Sequence, residues 1–251
     1  MDLGIKGKTA IVTGASSGLG KAIAAGFAAE GAKVVICARR AELLFENAGE
    51  LESSYGATVR AVPGDLRKRE DVKRLVEAAR ELGGPDILVI NTGRPPVPLR
   101  NILDEREEER WRSAYETQLW AAALLVQEVV PVLVERRWGR VIGVTSASVK
   151  QPMPHHGLST IFRAGVTGML KHLANEVGAS GVTVNSVCPG SIATASMANY
   201  DMEARVRGLP LHRLGEPSEL ASAVLYFASQ QAGFITGASL QVDGGGVGSL
   251  S

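Results

Sequence analysis

The segment Thr13-Gly-Ala-Ser-Ser-Gly-Leu-Gly20 follows a short apolar run, Thr9–Val12, and leads straight into an amphipathic stretch from Lys21. Glycines at 14, 18 and 20 permit a tight turn and let main-chain N–H groups approach an anion closely. A helix N-terminus behind them adds partial positive charge, an arrangement suited to a pyrophosphate. Gly14, Ser16, Ser17, Gly18, Leu19 and Gly20 are therefore the first candidate ligand contacts. A second strand-like run ends at Cys37-Ala38-Arg39-Arg40. A carboxylate at the end of such a strand ordinarily holds the 2′-hydroxyl of an NAD ribose. Here Ala38 stands in its place and Arg39 follows, which removes repulsion against a 2′-phosphate and offers a forked donor for it. The expected cofactor is NADP(H) in preference to NAD(H), read by Arg39. The plain alternative is a pair of solvated loop arginines.

Further motifs follow in order. Gly64-Asp65-Leu66 closes a third run, and Ile90-Asn91-Thr92-Gly93 a fourth. Cys188-Pro189-Gly190-Ser-Ile192-Ala-Thr194 closes a later one, and Leu214-Gly215-Glu-Pro217, Ile235-Thr236-Gly237 and Val242-Asp243-Gly244-Gly245 complete the series. With the Gly14-x-x-x-Gly18-x-Gly20 spacing, they resemble the short-chain dehydrogenase/reductase family along the whole chain. The resemblance implies a single doubly wound Rossmann domain over residues 1–251, with a central seven-stranded parallel sheet and helices on both faces. It implies adenine contacts at Asp65 and Leu66, cofactor contacts at Asn91, Thr92 and Gly93, and a turn of Pro189, Gly190, Ile192 and Thr194 around the nicotinamide carboxamide. It also implies a small-molecule carbonyl or alcohol substrate and a homotetramer or homodimer.

Members of this family usually act through an Asn–Ser–Tyr–Lys tetrad, in which the lysine lowers the tyrosine pKa from its usual ~10. Gly139-Arg-Val-Ile-Gly-Val-Thr145-Ser146 matches the strand that carries the serine, so Ser146 is retained. Thirteen residues on, the Tyr-x-x-x-Lys segment reads Ser159-Thr-Ile-Phe-Arg163-Ala164-Gly165. The asparagine position, seven residues after Trp111, is Gln118. Ser159 and Arg163 keep the i, i+4 spacing of one helix face. Arg163 suits ribose hydroxyls but cannot shed a proton. This variant, with Asn91-Thr92-Gly93-Arg-Pro-Pro, resembles a divergent subgroup similar to 3-oxoacyl-carrier-protein reductases.

A reductase built this way needs another proton donor. Lys150 and His155–His156 lie between Ser146 and Ser159, in a loop that crosses the substrate pocket in this fold. A desolvated lysine or a near-neutral histidine could serve. Tyr115, one turn before Gln118, is a further candidate. The bland readings are solvated loop charges and a helix-packing aromatic. Two competing functions stay open: an NADP(H)-binding protein without turnover, and a lyase or isomerase on the same scaffold.

The elements that must position these groups are legible as alternating short apolar runs and longer helical patterns. Strands are expected at Thr9–Val12, Val34–Ala38, Val59–Val62, Ile87–Ile90, Val141–Thr145, Thr183–Cys188 and Ser239–Val242. Their continuous apolar character is that of strands buried on both faces. Helices are expected at Lys21–Glu30, Arg69–Leu82, Glu105–Arg136, Ser159–Val177 and Ser218–Ala228. In the long third one, Trp111, Tyr115, Leu119, Ala122 and Val126 form the apolar stripe, and the charge-dense Asp104–Arg112 reads as a solvated helix start. The irregular stretch from 197 to 214 is a candidate lid over the ligand. A chain of 251 residues, 45% hydrophobic with a net charge of +1, fits an ordinary globular domain and offers no electrostatic case for nucleic acid or a membrane surface. No uninterrupted apolar run reaches the ~18 residues of a membrane span. Met1-Asp-Leu-Gly-Ile-Lys lacks the pattern of a signal peptide, so a cytoplasmic location is expected. Cys37 and Cys188 read as buried, unpaired thiols, and no metal-ligand spacing appears.

Overall fold

In the computed structural model, which describes residues 2–195 and 202–249, seven parallel strands form one sheet in the order β3-β2-β1-β4-β5-β6-β7. They are β1 (Thr9–Thr13), β2 (Lys33–Ala38), β3 (Val59–Pro63), β4 (Ile87–Ile90), β5 (Gly139–Val144), β6 (Val182–Pro189) and β7 (Ser239–Val242). Every predicted strand is present. Residues of β1, β4 and β5 are buried throughout, which is why Ala10–Val12, Ile87–Ile90 and Val141–Val144 read as unbroken apolar runs.

Helices α1 (Gly18–Ala29), α2 (Ala41–Tyr55), α3 (Arg69–Glu81), α4 (Glu108–Ala114), α5 (Ala121–Glu135), α6 (Gly157–Val177), α7 (Met202–Arg207) and α8 (Pro217–Ala228) connect the strands. Phe27, Leu44 and Val224, from α1, α2 and α8, pack with Val12, Ile36 and Ile142 on one face. Leu75, Leu125 and Leu170, from α3, α5 and α6, pack with Ile11, Val35 and Val141 on the other. Adjacent residues such as Ile11 and Val12 thus enter opposite cores, as a pleated strand requires.

Several helical expectations need correction. The α2 segment was not predicted: only the narrow stripe Leu44, Asn47, Ala48 and Leu51 is buried, in a run otherwise dominated by glutamates and small residues. The helix expected from Glu105 begins at Glu108 and is interrupted by a π-helical turn, Tyr115–Trp120, between α4 and α5. A π turn inserts a residue and shifts the phase of the helix. Its buried face therefore reads Ala114, Gln118, Ala121, Ala122, Leu125, Val129 and Leu133 rather than the expected stripe. Tyr115 is 40% exposed while Gln118 is fully buried, so the two do not share a face. Tyr115 and Trp111 instead pack on Phe162 of α6, each with ring centroids 6.2 Å away.

Asp104–Arg112 is a solvated helix start only in part: Asp104, Arg106, Glu107, Glu108, Glu109 and Arg112 are exposed, but two residues depart from that reading. Glu105 and Arg110 are buried together, with Arg110 Nε 2.7 Å from Glu105 Oε2, and Arg110 Nη2 donates to the carbonyl of Pro98 at 2.7 Å. The chain after β4 folds back over this pair and removes it from water.

Residues Glu108–Glu135 run as one rod that is long and apolar enough, by length and composition, to cross a membrane, contrary to the expectation from uninterrupted runs. Leu124, Leu125, Val129 and Leu133 of that rod lie in the sheet core. Of the candidate lid, residues 197–201 lie outside the described residues. Beyond them α7 forms, Leu209 is buried, and the Leu211 N–H donates to the Gly244 carbonyl at 3.3 Å.

Candidate active site

Strand order reverses between β1 and β4, so a crevice opens above their C-terminal ends. The glycine turn fills this position. Gly14 and Gly18 have φ of +63° and +56°, the left-handed region that glycine adopts without strain. A Cβ on Gly20 would lie 2.2 Å from the Gly14 carbonyl oxygen, and one on Gly14 would lie 2.6 Å from that of Asn91. Only glycines permit this close approach. The first N–H groups of α1, behind Ser17, have no intrahelical acceptor and face an incoming anion.

Asn91 braces the turn: its N–H donates to Thr13 Oγ1 at 3.0 Å and its Nδ2 to the Thr13 carbonyl at 3.2 Å. Across from the turn, Thr194 Cγ2 is 3.7 Å from where a Gly18 Cβ would be, which brings the Pro189–Thr194 segment to the same crevice. That segment is pinned by Gly190 N–H to the Val242 carbonyl at 3.0 Å and by a bridge between Ile192 and Gly215. The C-terminal motifs around Gly215 and Val242 therefore support the site from behind.

Both arginines that follow β2 are exposed, and Arg40 Nη2 donates to Ser16 Oγ at 3.1 Å and to Ser17 Oγ at 2.8 Å. Two adjacent arginines after a strand leave open which one bonds the turn, so Arg40 had no distinguishing signal in sequence. Asp65 is held by Arg67, with Nη2 2.6 Å from Oδ2, and this partner keeps the Asp65 carboxyl below its ordinary pKa. Leu66 packs on the α3 side of the core. Asp65, Arg67, Lys68, Tyr115, Glu116 and Trp120 line an open cavity of about 310 Å³.

The tetrad positions gather where β4 and β5 end. Ser146 lies two residues beyond β5 and its Oγ accepts the Ser148 N–H at 3.1 Å, capping a short 3₁₀ turn. Ser159 is buried in the first turn of α6, one turn before Arg163. Arg163 Nη1 donates to the Val144 carbonyl at 2.9 Å and Nη2 to the Gly93 carbonyl at 3.2 Å, which ties α6 to both strand ends. Burial lowers the guanidinium to about 10, with Arg94 adding repulsion, so it remains charged at neutral pH. The Gly93 N–H donates to the Thr117 carbonyl at 3.2 Å, which carries the connection into the π turn. There Gln118 is fully buried, with neither end of its amide hydrogen-bonded among the described residues. A buried amide in that state calls for a water or ligand partner.

The alternative donors differ in placement. Lys150 is half-buried. His155 is exposed at φ +61°, with its N–H on Asn101 Oδ1 at 3.2 Å, and His156 Nδ1 lies 2.8 Å from the Pro154 carbonyl. Thr92 lies partly buried between Asn91 and Gly93. Cys37 and Cys188 are buried and free, and burial pushes the Cys37 thiol up to about 12.

A glycine-lined anion cradle at the switch point of a doubly wound sheet, with polar side chains collected beside it, is the architecture of the dinucleotide-binding α/β folds. A family model described as enoyl-(acyl carrier protein) reductase matches residues 14–246. The chain belongs to this family of short-chain dehydrogenases/reductases. It is 38% identical over 250 residues to the 3-oxoacyl-[acyl-carrier-protein] reductase FabG of Vibrio cholerae, covering 97% of this chain and 98% of that protein. It is 36% identical over 245 residues to nodulation protein G of a Rhizobium species, covering 96% and 97%. Among solved structures, L-sorbose reductase from Gluconobacter frateurii, complexed with NADPH and L-sorbose, is 33% identical and superposes with a TM-score of 0.93 over the full length of both chains.

Proposed function

We propose that this protein reduces a small-molecule carbonyl, a 3-oxoacyl thioester or a similar ketone, to an alcohol with NADP(H). The Arg163 bridge carries this reading: it sets Ser159 and the end of β5, where Ser146 follows, beside the loop from Asn91 to Gly93. The names of the relatives, a 3-oxoacyl-[acyl-carrier-protein] reductase and an L-sorbose reductase complexed with NADPH, support both the substrate class and the cofactor. The fit to a dinucleotide rests on the cradle that a Cβ at Gly14 or Gly20 would obstruct. The turn from Gly14 to Gly20 would hold the pyrophosphate, Arg40 with Ser16 and Ser17 the 2′-phosphate, Asp65 and Leu66 the adenine end, and Pro189–Thr194 the nicotinamide end. Arg163 serves the ribose, since each Nη carries a second proton beyond the one committed to a carbonyl. When bound, the reduced nicotinamide supplies hydride to the carbonyl carbon.

The chain's own part is orientation and protonation. Ser146 and Ser159 donate to the carbonyl oxygen, and Gln118 holds a water behind them. Lys150 is favoured over the histidines as proton donor because it is half-buried, whereas His155 is exposed and His156 is engaged by Pro154. Its ammonium gives a proton to the developing alkoxide and regains one from solvent.

A second reading keeps the cofactor and drops the turnover. It is favoured by the commitment of both Arg163 Nη groups to main-chain carbonyls and by a serine where the family places a phenol. Following NADPH absorbance with a panel of ketones and 3-oxoacyl thioesters, with NADH as control, separates the two. Turnover with NADPH supports the reductase, and binding without turnover supports the second reading. We further propose a homotetramer or homodimer, formed through the rod of α4–α5 with α6 and through β7, where Tyr115, Ile161, Phe234 and Leu240 are exposed. Sedimentation of the purified protein as a monomer would refute it.

A further inference from the structure

We propose that the substrate of this site is an oxo acid or similar anion, and that Arg94 receives its carboxylate at the mouth of the crevice. The inference rests on the reading of this edge as a cofactor and substrate site, and among the ketones of that reading it selects one with a free carboxylate over a thioester. Several arginines elsewhere on the chain are matched with carboxylates: Arg67 with Asp65, Arg74 with Asp71, Arg80 with Glu77, Arg110 with Glu105, Arg213 with Glu219. The C-terminal edge of β4 and β5 departs from this pattern. Arg94 directly follows the residue whose carbonyl Arg163 holds, and the two guanidinium groups are close enough to repel. Arg163 donates to main-chain carbonyls, which leaves its charge unopposed. Among the described residues neither Arg94 nor Lys150 has a hydrogen-bond or ion-pair partner for its side chain. Asp243 lies on the Cys188 side with Lys150, its Oδ1 accepting the Gly245 N–H at 3.0 Å and its Oδ2 the Val247 N–H at 2.8 Å, while the charge that acts on Arg163 is that of Arg94. Like charges held together without a counter-charge are stabilised by an anion, and a carboxylate matches the guanidinium fork.

The base of Arg94 is also restrained. Pro95 and Pro96 follow it, and the buried Arg110 donates to the carbonyl of Pro98 at 2.7 Å, with longer contacts to those of Val97 and Pro96. A pre-positioned backbone lowers the ordering that binding requires.

The test is calorimetric titration of the purified full-length protein, first with NADP⁺, then at saturating NADP⁺ with acetoacetate and levulinate against their methyl esters. In at least one pair the acid is expected to bind about tenfold or more tightly than its ester. Arg94→Gln is expected to bring acid and ester to within about twofold, and Arg94→Lys to keep part of the preference. No preference for the acid in either pair overturns the proposal, as does a preference that survives in Arg94→Gln. Weakened NADP⁺ binding in Arg94→Gln overturns it too, by assigning the arginine to the cofactor. Absence of NADP⁺ binding in the wild type instead defeats the underlying cofactor reading.

Discussion

Arg163 donates from Nη2 to the carbonyl oxygen of Gly93 at 3.2 Å, joining α6 to the loop that leaves β4. Its Nη1 holds the last residue of β5, Val144, at 2.9 Å. A planar fork can serve two carbonyls at once, whereas a lysine ammonium offers a point charge on a flexible stem. Arg163→Ala leaves both acceptors without this donor and is expected to destabilise the protein by about 1–3 kcal/mol. Arg163→Lys should lose less. Urea unfolding of the three proteins decides, and equal midpoints would contradict the structural role.

Ser159 and Arg163 occupy one face of α6, so the family's usual pair can be rebuilt there. The double variant Ser159→Tyr/Arg163→Lys restores a phenol beside an ammonium. General acid catalysis of this kind contributes ~10²-fold or more. NADPH-dependent turnover is expected to rise by that order in the double variant and not in Ser159→Tyr alone. Equal rates would show that another group already supplies the proton.

Arg40 and Arg39 make opposite forecasts despite adjacency. Only Arg40 is gathered onto Ser16 and Ser17. Loss of a charge-assisted hydrogen bond of about 1.5–3 kcal/mol weakens binding about 10- to 100-fold. Arg40→Ala is therefore expected to weaken NADPH by that factor and NADH far less. Arg39→Ala should change neither by more than about twofold, since among the described residues no hydrogen bond joins its side chain to the turn. Fluorescence titration of each variant reads the result, and the reverse ranking would return the phosphate to Arg39.

The Glu105–Arg110 pair sets an acid limit on stability. Arg110 holds the Glu105 carboxyl below its ordinary pKa, so the folded state binds this proton less readily than the unfolded chain. The stabilisation is fully present above the unfolded value of about 4.3 and is lost as pH falls through the lower folded value. Glu105→Gln is expected to remove about 1.5–3 kcal/mol at neutral pH and to flatten the acid limb of the stability profile. Urea midpoints measured across this range test both parts, and an unchanged acid limb would exclude Glu105 as a contributor.

Local requirements were legible in the amino-acid sequence alone. Strands buried on both faces must be apolar at consecutive positions, so β1, β2 and β4 could be read directly, while the partly buried edge strands β3 and β7 were legible only as short apolar runs. Gly14, Gly18 and Gly20 were legible for a similar reason, because a backbone that crosses so near to Gly14 and Asn91 excludes a Cβ. The same holds for Ser146, whose place follows from the strand before it. Tertiary structure decided what depends on partners remote in the chain. Arg40 rather than Arg39 meets Ser17, Glu105 and Arg110 leave water together beneath a proline-rich loop, and the π turn buries Gln118 while exposing Tyr115. Arg163 shows the division most directly. Its spacing from Ser159 is a property of one helix, but its bond to Gly93 exists because the sheet order sets β4 beside β5 and α6 packs across their ends.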